Sequence, residues 1–487
     1  MIAYAFPPEG NAGAYRPLRF IRHMGGYGWR ADVITSGANY YERYDPDLLR
    51  RIPPDCRVSR VKYFDLWQSL QRLRAQRLKP EISPGNNGNK SIPSPSSPGS
   101  ALRGYFREKV RRLEALAYHP DLRMFWIRPA IEAGLKAARL HHYDAIWATG
   151  APWSSFIVAS RISKRTGIPY VLDFRSSWTL VPNDFEKRRP QWIQERDQKR
   201  LGALFEAARA VVFFYEAEAE CFWRVYRSQL ELSKIHIIPN GFEGEIDNSP
   251  LPEPGDRCRV LYAGVLSSYR YDTLLEALAI LKKRNSEQAR RLLFEFVGEG
   301  SGVLYSQAKQ LGIQDLVSAR SPIPHSEVRK LEQQSHALLM LGRGPDHIGF
   351  ELLAGAKLFA YLRAGRPIIG VLPDDEARKI LLSVGTRFLA GADSSIEIAE
   401  MLDDLVTVWR RGDLSACIPD PEVCRNYSAT RQTEGLIRAL ENKPPITPFV
   451  PGRSKVPSSL RDRIVACSYP HKPGPRMKSH VRTGLKN

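Results

Sequence analysis

Residues 355–371 read Gly355-Ala-Lys-Leu-Phe-Ala-Tyr-Leu-Arg-Ala-Gly-Arg-Pro-Ile-Ile-Gly-Val371, a helix followed at once by a strand. Glycine opens the helix, Lys357 falls in its first turn, Gly365 ends it, and Pro367 leads into an apolar β-branched run. A lysine in a first helical turn opposes the macrodipole unless an anion sits nearby. With the N–H groups of Ala356–Leu358, Lys357 forms a candidate cradle for a diphosphate. The bland alternative is a helix with one frayed lysine, at a cost of only a few tenths of a kcal/mol.

The same alternation extends in both directions. Before this unit lie candidate strands Arg259–Ala263, Leu292–Val297 and Ala337–Leu341, with helices Asp272–Lys283 and Glu327–Gln334. An earlier series holds strands Ile2–Phe6, Ala31–Thr35, Asp144–Thr149, Tyr170–Phe174, Ala210–Phe214 and Ile235–Pro239, with helices around Ala14–Met24 and Ser154–Thr166. Short apolar strands alternating with helices are the mark of parallel α/β layers. The Pro-rich polar stretch 248–256 reads as a linker between residues 1–247 and 257–425. A last helix within 426–442 precedes a Pro-rich tail, 443–487, expected to be disordered. Two such halves place a ligand cleft between the carboxyl ends of two sheets.

The chain has 487 residues, 72 Lys plus Arg against 52 Asp plus Glu, and a net charge of +20. Its basicity is local. Ten basic and two acidic residues lie in 71–112, and ten basic and one acidic in 443–487, so the body is close to neutral. That distribution, and the absence of a reader motif, argues against nucleic acid as a partner. Residues 71–100 are too poor in apolar side chains to offset their ordering entropy and read as a disordered insertion. The following Ala101–Tyr118 has an apolar stripe and a basic remainder, the pattern of a surface helix or of one lying on an anionic membrane.

No apolar run is long enough to span a bilayer, and the start Met1-Ile-Ala-Tyr-Ala-Phe-Pro-Pro lacks a secretory pattern. The six cysteines show no pairing motif, as expected for reduced thiols in the cytoplasm. Neither they nor the histidines outline a metal site. Asp45-Pro-Asp47 reads as a turn, and His119 and His325 as capping or surface groups.

Two further loops belong with Lys357. Pro7-Pro-Glu-Gly-Asn-Ala-Gly-Ala-Tyr-Arg16 joins the first strand to the first helix, where Gly10 and Gly13 allow backbone N–H groups near a phosphate or simply form a tight turn. Gly264-Val-Leu-Ser-Ser-Tyr-Arg270 follows the first strand of the second half and sets Arg270 at the cleft edge, where a guanidinium can grip a diphosphate or stay an ordinary surface group.

Taken in order, PPEGNAGAYR (7–16), ATGAPWSS (148–155), VLDFRSSW (171–178), IPNGF (238–242), YAGVLSSYR (262–270), FVGEGSG (296–302) and AGAKLFAYLRAGRPI (354–368) resemble a retaining glycosyltransferase of the GT-B fold, family 4. The resemblance covers residues 1–442. It implies two Rossmann-like domains with parallel sheets facing a cleft, an acceptor domain first and a nucleotide-sugar domain second, with no metal and no cofactor beyond a UDP- or GDP-type donor. Arg270 and Lys357 match the cationic positions that stabilise the leaving diphosphate. Gly10, Gly13, Gly264, Gly355, Ala356, Leu358 and Ala360 match donor-binding positions; Asp173 and Arg175 fall on the acceptor side.

The chain departs from the family's pattern in three places: Ala360 stands where a ribose-binding carboxylate is usual, Leu352 where its paired glutamate would fall, and Ser176 where a carboxylate follows Asp-Phe-Arg. The resemblance therefore points to sugar transfer onto a glycan or lipid-linked acceptor in surface polysaccharide or glycolipid assembly, at the cytoplasmic face of a membrane. The alternative is a catalytically degenerate binding or scaffold protein that keeps the fold.

Overall fold

The computed structural model describes residues 1–37, 41, 43–64, 109, 115–116, 118–180, 186–343 and 354–454. The expected insertion 71–100, nearly all of Ala101–Tyr118, Leu352 and the tail beyond Ser454 lie outside the described residues.

Two wholly parallel sheets organise the molecule. The first joins β1 (Ile2–Ala3), β2 (Val33–Ser36), β3 (Val58–Val61), β4 (Ile146–Gly150), β5 (Tyr170–Phe174), β6 (Ala210–Phe213) and β7 (Ile235–Ile237) in the order 3-2-1-4-5-6-7. The second joins β8 (Cys258–Ala263), β9 (Leu292–Val297), β10 (Val317–Arg320), β11 (Ala337–Leu341), β12 (Ile368–Leu372) and β13 (Phe388–Gly391) in the order 10-9-8-11-12-13. Each order reverses once, between β1 and β4 and between β8 and β11. Loops leaving neighbouring strands at such a point diverge and open a crevice at the carboxyl ends.

Helices cover both faces of each sheet. In the first domain these are α1 (Ala12–Met24), α2 (Met124–Leu140), α3 (Ser154–Thr166), α4 (Gln191–Ala207) and α5 (Glu216–Tyr226). In the second they are α6 (Asp272–Arg284), α7 (Ser301–Gln310), α8 (His325–Gln333), α9 (Ala356–Ala364), α10 (Glu376–Ser383) and α11 (Ser395–Arg410). Strand alternation divides the core. Val260 and Tyr262 face one layer with Leu274, Leu278 and Leu405, while Leu261 faces the other with Leu358, Phe359 and Leu362.

The chain crosses between the domains twice. The outward connector spans residues 238–257, longer than the expected linker 248–256, and is pinned along its length. Phe242 N–H donates to Tyr427 O (3.0 Å), Asp247 N–H to Arg363 O (2.8 Å), and the buried Arg366 to Ser249 O and Gln333 O (3.0 Å each). The return passes alongside, where Ala429 N–H donates to Phe242 O (2.8 Å). It delivers α12 (Ala429–Leu440) to the first domain, where Leu436, Ile437 and Leu440 join Leu18, Phe20 and Ile21 of α1 in one core.

The start of the tail corrects the disorder expected from its prolines. Residues 443–454 lie against the first domain: Phe449 is buried in its core, Gly452 N–H donates to Glu220 (2.9 Å), and Ser454 Oγ to Glu216 (3.3 Å). One aromatic side chain with a slot to fill outweighs a disorder-prone composition. A cavity of about 250 Å³ lies at the amino ends of β1, β2 and β4, at the end of the sheet away from the crevice. Among the described residues no helix is long and apolar enough to cross a membrane.

Candidate functional site

The second-domain wall of the crevice is built by glycines that let three segments meet. The β8 and β9 strands end in Gly264 (φ 144°) and Gly298 (φ 143°). A Cβ on Gly298 would lie 2.2 Å from Gly264 O, and one on Gly264 would lie 2.8 Å from Lys357 Nζ. Helix α9 thus presents its first turn directly against the end of β8. Its N-cap is Gly355, without a capping side chain. The first N–H groups of a helix have no partner within it, which leaves those of Ala356 and Lys357 for a ligand. Leu358 N–H, expected in the same cradle, donates instead to Gly355 O (3.1 Å). Ala360 sits half-buried on the flank of Lys357, with no polar atom to offer.

Lys357 Nζ lies 3.2 Å from the centroid of the Tyr262 ring and 5.6 Å from that of Tyr269. It is closed off from solvent and has no hydrogen-bond partner among the described residues. A cation over an aromatic face gains about 0.5–2 kcal/mol. Each desolvated donor left without an acceptor costs about 1–3 kcal/mol, and an ammonium has three. The second effect wins: burial pushes the amine down to about 6, with Glu332 acting weakly the other way. Glu332 is itself buried and pushed up to about 7, despite Arg363 at 3.7 Å.

Arg270 lies in the loop after β8, at the carboxyl ends of the strands, as expected, and is already paired there. Its guanidinium pairs with Asp393, just after β13, and its N–H donates to Gly342 O (3.0 Å). Asp393 is 78% exposed, and an exposed pair of this kind is worth under about 1 kcal/mol. Arg343, after β11, lies over the Tyr269 ring at 5.4 Å.

In the first-domain wall, several groups expected at the site are engaged within the protein. Neither glycine of the first loop offers its N–H to a ligand: Gly10 donates to Arg43 O (2.8 Å), and Gly13 to the Asn11 side chain that caps α1 (2.9 Å). Asp173, expected to touch an acceptor, is fully buried and gripped by Arg16, with N–O distances of 2.8–3.2 Å. The same guanidinium donates to Ile238 O (2.9 Å) and Pro239 O (3.0 Å) and lies between Phe20 and Phe214. Asp173 is thus tied through Arg16 to the exit of the connector.

Arg175 staples three loops together, donating to Gly13 O (2.7 Å), Ala151 O and, through its backbone, Gly150 O (2.9 Å). Burial lowers its pKa to about 10. Arg175, expected on the acceptor side, thus holds the loops at the crevice lip together. Glu218, which sequence reasoning missed, is fully buried between the ends of β5 and β6. It accepts from Ser177 Oγ (3.0 Å) and Phe214 N–H (3.4 Å), and burial pushes it up to about 7. The domains touch across the crevice where Tyr215 Oη donates to Ala354 O (3.0 Å). Asp45 caps a short turn, as expected, through Asp47 N–H (3.2 Å).

No family model matches the chain, and no curated protein matches it by sequence. Solved structures do. HepE from Anabaena in complex with UDP aligns over 90% of this chain and 98% of its own, with a TM-score of 0.54 at 14% identity. TarM aligns over 90% and 98% with a TM-score of 0.54 at 10% identity. Sucrose-phosphate synthase from Thermosynechococcus elongatus aligns over 90% and 98% with a TM-score of 0.51 at 14% identity. The chain has the GT-B fold: two parallel-sheet domains facing a cleft.

Proposed function

We propose that the protein is a glycosyltransferase that takes a sugar from a nucleotide-sugar donor and transfers it, with retention and without a metal, to a glycan or lipid-linked acceptor. The observation that carries this reading is Lys357: a solvent-closed amine without a hydrogen-bond partner among the described residues, beside the open amides of α9, facing the crevice of a GT-B fold. A nucleoside diphosphate supplies the missing acceptors. Charge grows on it as the sugar–phosphate bond breaks, and fixed donors aimed at that charge are commonly the largest catalytic contribution. Lys357 and the Ala356 and Lys357 amides take that role, with Arg270 recruited from Asp393. The similar HepE structure holds UDP, which supports a uridine donor.

The family 4 assignment, the surface-polysaccharide or glycolipid setting and work at the cytoplasmic face of a membrane belong to this reading through the sequence resemblance. Ala360 favours one second reading, a binder that has lost turnover, because no carboxylate at that position holds the ribose. Calorimetry with UDP, GDP and dTDP, followed by transfer assays with the matching sugars, tests both. Binding that Lys357→Met weakens, with turnover lost, supports the enzyme. Binding without turnover, also after Ala360→Glu, supports the binder. No binding of any of the three overturns the proposal.

A further inference from the structure

We propose that capture of the donor diphosphate is coupled to uptake of one proton by Lys357, whose solvent-closed amine lies against the Tyr262 ring. This rests on the donor reading above. The geometry carries it. Nζ is closed off from solvent and has no acceptor among the described residues, and the seat is rigid, because Tyr262 is 1% exposed and its hydroxyl donates to Val265 O (2.8 Å).

Among the described residues Glu332 is the carboxylate that acts on the amine, and it is shared with Arg363. From β8 and its loop come the rings of Tyr262 and Tyr269, and one turn along α9 stands Tyr361, whose hydroxyl accepts from Ala263 N–H (3.3 Å). From α8 comes Glu332, paired with Arg363 at 3.7 Å, with Arg329 beside it. Arg343 adds positive charge beyond Tyr269. Burial, opposed by Glu332, pushes the amine down to about 6.

A diphosphate changes this balance by providing the oxygen acceptors that an ammonium needs. The proton comes from solvent or buffer and is held on Nζ by those oxygens; no covalent bond to a heavier atom changes. A terminal phosphate has a second pKa near about 6 and has already shed its proton at pH 7.5, so the net exchange is uptake. With one proton linked, UDP affinity falls by about tenfold per pH unit across the range between the resting and the bound pKa. Uridine, which lacks the diphosphate, shows neither effect.

Two measurements on the full chain test this. The first needs no ligand: the acylation rate of Lys357, followed by mass spectrometry across pH, is expected to have its midpoint near or below pH 7. A midpoint near that of an ordinary lysine, about 10.4, overturns the proposal. The second is calorimetry of UDP binding at pH 7.5 in two buffers of different ionisation enthalpy. Close to one proton is expected to be taken up by the wild type and by Glu332→Gln, and none by Lys357→Met. UDP binding without proton exchange, or uptake that persists in Lys357→Met, overturns the coupling. A low labelling midpoint with no binding of any nucleoside diphosphate overturns the donor reading, and the coupling with it.

Discussion

Replacing Arg16 with methionine removes the guanidinium that joins α1, the end of β5 and the interdomain connector. The aliphatic stem is kept between Phe20 and Phe214, so the loss is electrostatic rather than steric. The Asp173 carboxylate, with no exposure, is left buried without its partner. Breaking a buried pair from one side costs about 3–5 kcal/mol. Ile238 O also loses its donor within the core, which adds about 1 kcal/mol or more. Pro239 O lies nearer the surface, where water can replace the bond.

The expected loss is about 4–6 kcal/mol, a large share of the 5–15 kcal/mol that stabilises a typical domain. Adding Asp173→Asn removes the stranded charge and should restore about 2 kcal/mol or more. Urea unfolding followed by tryptophan fluorescence reads this, since Trp147 lies 5.4 Å from Phe20 in the affected core. The midpoint should fall at unchanged slope. A loss below about 1 kcal/mol in Arg16→Met, or a double variant less stable than Arg16→Met alone, refutes the clamp.

Gly264→Ala places a methyl 2.8 Å from Lys357 Nζ at a φ of 144°, so UDP affinity measured by calorimetry should drop at least about tenfold. Glu218 has a folded pKa raised from 4.5 to about 7, so the stability it contributes is fully present below about pH 4.5 and is lost as pH rises through about 7. Glu218→Gln should consequently raise the melting temperature at pH 8 relative to wild type, by up to about 3 kcal/mol in free energy, with the gain vanishing near pH 4. Phe449→Ala should cost about 3–5 kcal/mol of first-domain stability and expose residues 443–454 to limited proteolysis.

Strands buried on both faces were legible because each is a continuous apolar run. Leu292–Val297 and Ala337–Leu341 coincide with β9 and β11. The edge strands β10 and β13 were not. Val317-Ser-Ala-Arg320 buries only Val317, and Phe388–Gly391 alternates buried with half-buried residues, so neither makes such a run. Tyr4–Phe6 reads as strand but leaves the ladder after Ala3, as Tyr4 turns to meet the Tyr63 hydroxyl (2.8 Å).

At the site, Lys357 was legible because a cation in a first helical turn conflicts with local electrostatics and signals a reason for being there. The use made of Gly10, Gly13 and Asp173 was not. Sequence shows that a donor or a carboxylate exists, while the partner that consumes it lies elsewhere, 157 positions away for Arg16 and Asp173. Tyr262 left no mark beyond an aromatic residue in a buried strand.

The paired crossings of the chain have a mechanical consequence. At Phe242 and Ser428 the outgoing and returning segments run side by side as a short parallel bridge. The two links between the domains are therefore tied to each other along one line instead of at two separated points. Neither half is a module: cutting the chain within 238–257 would separate α1 from the helix, α12, that completes its core.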